Sequence, residues 1–189
     1  MKRYNLLTVL LLFIFSLTSA QVSSVFGSVT EAKSKIEATV PIVVEHLKKI
    51  SEKQGNTTVL DNGKTALQNE YDKVSQEFDL YKGNMASCIL GKSKLTKKCM
   101  NYHTQYFRNT LGIYENYINY VTKKNGYLGV QDDSVKLDFK PTEIASKIDK
   151  DFSGAVGAVK KMKGNNKSTY FDQLKSDDYK LQNFSTLVN

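Results

Sequence analysis

The stretch GKTALQNEYDKVSQEFDLYKGNMASCIL, residues 63–90, decides the fold. Its apolar side chains Leu67, Tyr71, Val74, Phe78, Tyr81, Met85 and Cys88 are spaced four and three apart without a break. That is the period of an amphipathic helix with one buried stripe, not the alternation of a strand. The spacing predicts a helix from about Gly63 to Leu90 and an all-α chain.

Just beyond it, Gly91 to Ser93 make a short turn, and a second periodic stretch runs from about Lys94 to Lys124. A connection this short predicts an antiparallel helical hairpin. Cys88 falls in the last turn of the first helix and Cys99 in the first turns of the second. A disulfide between them would close a loop of twelve residues, worth roughly 3 kcal/mol on the chain-entropy model. A Cys-x10-Cys spacing with only two histidines, His46 and His103, matches no usual metal-ligand pattern. No metal is expected, and both histidines fall at the flanks of their helical stripes, where partial exposure is expected.

The helix from Lys94 to Lys124 carries more apolar surface than one neighbour can cover. At roughly 100° per residue, Met100, Phe107, Leu111, Tyr114, Ile118 and Val121 share one sector. Leu95, Cys99, Tyr102, Tyr106, Ile113, Tyr117 and Tyr120 share the sector beside it. The helix must therefore touch two neighbours, or one neighbour and something outside the folded chain. Tyr102, Tyr106, Tyr117 and Tyr120 combine apolar rings with hydroxyls, a composition that suits a core rim, a partner interface or a polar-rimmed pocket.

On the N-terminal side, Val29, Ala32, Ile36, Val40, Val43, Leu47 and Ile50 form another stripe, interrupted by Pro41. Proline lacks the backbone donor and clashes with the preceding turn, which predicts a kink near residues 38–41 or a helix starting at about Thr39. Residues 54–62, rich in Gly, Asn, Thr and Asp, read as a loop. Towards the C-terminus, residues 125–140 read as a long crossover with a short strand-like alternation at Val135 to Phe139. Pro141 is placed to open a fourth helix with the stripe Ile144, Ile148, Phe152, Ala155, Val159 and Met162, ended by Gly164. Tyr170, Leu174, Leu181, Phe184 and Val188 suggest a last, weaker helix or strap. The expected fold is an antiparallel bundle of four main helices with one disulfide and a long crossover before the fourth.

The first twenty residues set the context. Lys2 and Arg3, the apolar run Leu6 to Leu17 and the small residues Thr18-Ser19-Ala20 have the form of a secretory leader cleaved after Ala20. An apolar run of about a dozen residues is short of the roughly 20 that a spanning helix needs, so no stable membrane anchor is expected. The remainder, residues 21–189, reads as a single domain that is secreted, or periplasmic if the source is a Gram-negative bacterium. The leader holds two of the 27 basic residues, leaving 25 against 19 acidic ones, a charge of +6. Arg108 is the only arginine among those 25. Phosphate and guanine recognition favours the guanidinium fork, so a nucleic-acid partner is not expected. Asn56-Thr57-Thr58, Asn166-Lys167-Ser168 and Asn183-Phe184-Ser185 fit the N-glycosylation pattern.

No nucleophile elbow, zinc-binding histidine pair, phosphate-cradling glycine loop or dinucleotide fingerprint is present. Asp132, Asp133 and Asp138 have Lys136 among them and lack the closing glutamate of a calcium loop. Neither catalysis nor a cofactor is expected. In the fourth helix, Gly154, Gly157 and Ala158 belong to a run of small residues, and each glycine there costs up to about 1 kcal/mol relative to alanine. Close helix packing, or room for an apolar ligand between helices, would compensate. Lys160, Lys161 and Lys163 form a basic cluster suited either to the helix dipole or to an anionic partner. The expected function is that of a non-catalytic binding protein acting through a helix face on a protein or an anionic glycan. The alternative is an extracellular carrier of a small, lipid-like ligand held between helices.

Overall fold

The computed structural model describes residues 4–90, 96–122, 140–161 and 166–189. Side chains are described from Gly27 onward, apart from positions 96, 141, 142, 155, 158–161, 166, 167 and 170. Among the described residues the chain is helical, with no strand. Four long helices, α1 (Tyr4–Gln54), α2 (Thr57–Leu90), α3 (Thr96–Thr122) and α4 (Pro141–Lys161), are followed by α5 (Asn166–Leu174) and α6 (Phe184–Leu187), with a 3-10 turn at Asp177–Tyr179 between the last two. The expected crossover at residues 125–140, with its strand-like segment, falls outside the described residues except for Lys140. Gly164 and the carboxylates at 132, 133 and 138 lie outside them as well.

The turn between α1 and α2 shows how local chemistry shortened the expected loop. It comprises only Gly55 and Asn56. Gly55 takes φ +60, the left-handed conformation that costs glycine little. The Gly55 N–H donates to Glu52 O and the Asn56 N–H to Ser51 O, the two bonds of a Schellman ending. Asn56 then caps α2, its Oδ1 accepting from the Thr58 N–H at 3.1 Å. Residues 57–62, loop-like by composition, therefore already belong to α2.

Pro41 lies inside α1, which starts well before Thr39 and continues through the proline. The proline is exposed while Val40 and Val43 beside it are fully buried. Packing on both sides of the ring thus holds the helix where propensity alone would end it. α1 also takes in the apolar leader from Tyr4, with no break at Ala20. No helix among the described residues is long and apolar enough to cross a membrane.

The predicted stripes of α1 and α2 are buried along their whole length, and so is the first sector of α3. In the core, Tyr81 stacks on Phe107 at 4.4 Å between ring centroids and meets Phe152 edge-on at 6.3 Å. At Gly63, α2 packs directly against Leu47 of α1. A Cβ there would stand 2.6 Å from Leu47 Cδ2, so any other residue would force Leu47 aside. Contacts between α2 and α3 run in opposite chain order: Cys88 with Cys99, Tyr81 with Thr104, and Gly63 with Tyr117. The disulfide joins Cys88 to Cys99 with a Cα separation of 5.8 Å. α4 lies against α1 through Lys147 to Glu31 and Ser28 to Asp151, and against α3 through Thr104 to Asp149.

The C-terminal segment is a strap packed on α1 and α2, anchored by Phe171, Leu174, Leu181 and Phe184, all buried. Its backbone is held by side chains that the apolar pattern did not reveal. Glu37 accepts from the Gln182 N–H at 2.7 Å, and the Tyr71 hydroxyl donates to Gln182 O at 2.8 Å. Lys82, 2 % exposed, donates to Tyr179 O at 2.7 Å and pairs with Asp79 at 2.9 Å. Burial pushes the Lys82 ammonium below the usual lysine range, while Asp79 opposes that shift.

Candidate interaction surface

Two faces of α3 have different fates. The inner face is closed by packing. Tyr114 is fully buried, and its hydroxyl shares a hydrogen bond with Thr39 at 2.8 Å. His46 of α1, expected at a partly exposed flank, is 1 % exposed, and its Nε2 contacts Val121 O at 3.0 Å. The periodic stripe is wider than its apolar members, so a polar residue bonded to a helix end can sit within it.

The outer face is open. Tyr102, Tyr106, Ile113 and Tyr120 are 68 %, 57 %, 60 % and 58 % exposed. Their spacing of four, seven and seven residues keeps them on one line along α3, about 27 Å from end to end at the helical rise. Tyr117 departs from this line. It is half-buried, with its hydroxyl donating to Gly63 O at 3.4 Å, and belongs to the rim of the core. The remaining large exposed apolar residues among those described are Leu80 and Ile42. Leu80 stands beside the stripe.

Leu80 lies next to the stripe because α2 and α3 leave a surface groove between them. Its walls are Glu70, Lys73, Val74, Gln76, Glu77 and Leu80 from α2 and Tyr106, Thr110 and Ile113 from α3, around a volume of about 300 Å³. Lys73 pairs with Glu70 at 2.7 Å. Glu77 is half-buried, and burial raises its carboxyl above the usual range. Leaving Leu80 and Ile113 partly in water forgoes for each roughly half of the about 1.5–3 kcal/mol that full burial contributes. A row of such residues beside a groove is the composition of a binding surface.

The other expected site residues are not brought to this surface. Gly154 and Gly157 are exposed, with nothing within 4 Å of where a Cβ would stand. Among the described residues no helix or tyrosine ring approaches them at that point, and nothing described explains the two glycines. The side chains of Ala158, Lys160 and Lys161, and all of Lys163, lie outside the described residues. At the disulfide, a ring nitrogen of His103 lies within 4.8 Å of both sulfurs. The sulfurs are bonded to each other, so they offer no thiolate to a metal. His103 packs edge-on against Tyr102 at 5.2 Å, and the Val121 contact places His46 at the other end of α3.

The sequence did not point to Glu77 or Leu80, because both fall off the buried stripe of α2. Their importance depends on which flank of α2 lies beside Tyr106. Comparison of the chain with protein-family models, curated proteins and solved structures finds no match.

Proposed function

We propose that this chain is a secreted, non-catalytic binding protein that meets a protein partner through the outer face of α3. The observation that carries the reading is the line of Tyr102, Tyr106, Ile113 and Tyr120, exposed on a helix whose other side is fully packed. Rigid aromatic side chains on a helix already held by a core and a disulfide lose little freedom on binding. The fold we propose is an antiparallel bundle of four main helices with a long crossover before α4, supported by the opposite chain order of the contacts between α2 and α3 and between α1 and α4. The leader-like first twenty residues and the disulfide support export. An anionic glycan is the competing partner, through Lys160, Lys161 and Lys163.

The test is site-specific photo-crosslinking in the fluid from which the mature protein is recovered. A benzophenone side chain in place of Ile113 should give a discrete protein adduct, while one in place of the exposed Lys48 of α1 should not. Equal labelling from both positions, or none from 113, would refute the reading. Salt-sensitive retention on heparin, lost when Lys160, Lys161 and Lys163 become glutamine, would favour the glycan instead.

A further inference from the structure

The groove beside the stripe has a chemical preference of its own. Glu70 is held by Lys73, but Glu77 has no ion-pair or hydrogen-bond partner among the described residues. Glu77 lines the groove together with Leu80, Ile113 and Tyr106. The pairing of Glu70 with Lys73 cancels their charge, so Glu77 sets the sign of the site. A carboxylate and an aromatic residue that line one groove can together receive a cation, and the aliphatic side chains suit an apolar stem.

We infer that the groove between α2 and α3 receives an arginine side chain of the protein partner, with its guanidinium on Glu77 and Tyr106 and its methylenes against Leu80 and Ile113. This rests on the reading of α3 as an interaction face and names the group that the face recognises. Arginine fits better than lysine because its planar fork can engage both carboxylate oxygens and stack on an aromatic ring at the same time. The raised Glu77 carboxyl is consistent with a charge that burial has partly stripped of water and that no described residue compensates. The charge of +6 on residues 21–189 disfavours a polybasic ligand, but at physiological salt its reach is screened within roughly 8 Å. A single cation on an apolar body is therefore the matching ligand.

The probe is N-acetyl-leucyl-arginine amide, titrated into the ¹⁵N-labelled mature protein with its disulfide intact. Amide shifts should move in residues 70–80 and 106–113 with saturation in the millimolar range. The neutral isostere N-acetyl-leucyl-citrulline amide should bind at least tenfold more weakly, and Glu77→Gln should abolish the difference between the two. Equal binding of the two peptides to the unaltered protein, or no saturable shift in the groove up to about 50 mM, well beyond a millimolar Kd, overturns the inference. The citrulline comparison needs no variant, so it stands even if Glu77→Gln folds poorly. If the peptides fail while position 113 still crosslinks a protein, the arginine assignment falls and the interaction reading survives. If both fail, the interaction reading falls with it.

Discussion

Tyr114 and Tyr106 sit two turns apart on α3, and their surroundings are opposite. Tyr114 is fully buried and shares its hydroxyl proton with Thr39, whereas Tyr106 is 57 % exposed at the edge of a groove. Residue type cannot distinguish them. Their angular position on the helix does, because α1, α2 and α4 cover one side of α3 and leave the other to solvent. A tyrosine on the inner face stabilises the fold, and a tyrosine on the outer face is available to something else.

The largest effect that separates the two kinds of tyrosine should come from alkali. Burial raises the phenols of Tyr71, Tyr81 and Tyr114 well above the ordinary value of 10.0. They stay neutral in the fold at a pH where the unfolded chain ionises them, so the stability they contribute is full below pH 10 and is lost as pH rises. Each such group should remove up to about 1.4 kcal/mol per pH unit above pH 10, and less for Tyr71, the least enclosed of the three. Lys82 acts in the opposite direction, since its lowered pKa lets stability rise with pH, but that gain ends near the unfolded value of 10.5. Urea denaturation at pH 8, 10 and 11, with tyrosinate absorbance followed in parallel, should show these phenols ionising together with unfolding. Ionisation without loss of structure would contradict the assignment.

Within the inner face, Phe107→Ala removes the ring stacked on Tyr81 and should cost about 3–5 kcal/mol in urea unfolding. Replacing Cys88 and Cys99 together by serine should cost about 2–4 kcal/mol, read as a fall in Tm. On the outer face, Tyr106→Ala should change stability by no more than about 0.5 kcal/mol. A loss comparable to that of Phe107→Ala would mean that Tyr106 is structural and would remove the contrast.

Sequence and structure agree where burial follows a simple period. Every apolar position of the stripe quoted for α2 is buried, and helical angle separates the inner sector of α3 from the outer one except at Tyr117, which joins the core rim. The division of labour between those sectors was not legible, because it depends on how many neighbours α3 has. Composition misled at residues 57–62, where polar residues suggested a loop although only Gly55 and Asn56 were needed to reverse the chain. Lys82 was invisible for a different reason. It falls on the buried face, four residues after Phe78, but its value lies in the Tyr179 carbonyl 97 residues away. Gly154 and Gly157 read as a packing surface, yet among the described residues nothing stands within 4 Å of where their Cβ atoms would be. Spacing shows which residues share a face, but not what that face meets.

The most direct test uses the double variant Tyr106→Ala, Ile113→Ala in the disulfide-bonded chain, with a benzophenone in place of Tyr120. Unfolding free energy and crosslink yield are measured on the same preparation. If the outer face of α3 is a binding surface, stability should stay within about 1 kcal/mol of the parent, and the adduct should fall at least tenfold. A loss of several kcal/mol, or an undiminished adduct, would show that this face belongs to the fold or that the partner binds elsewhere.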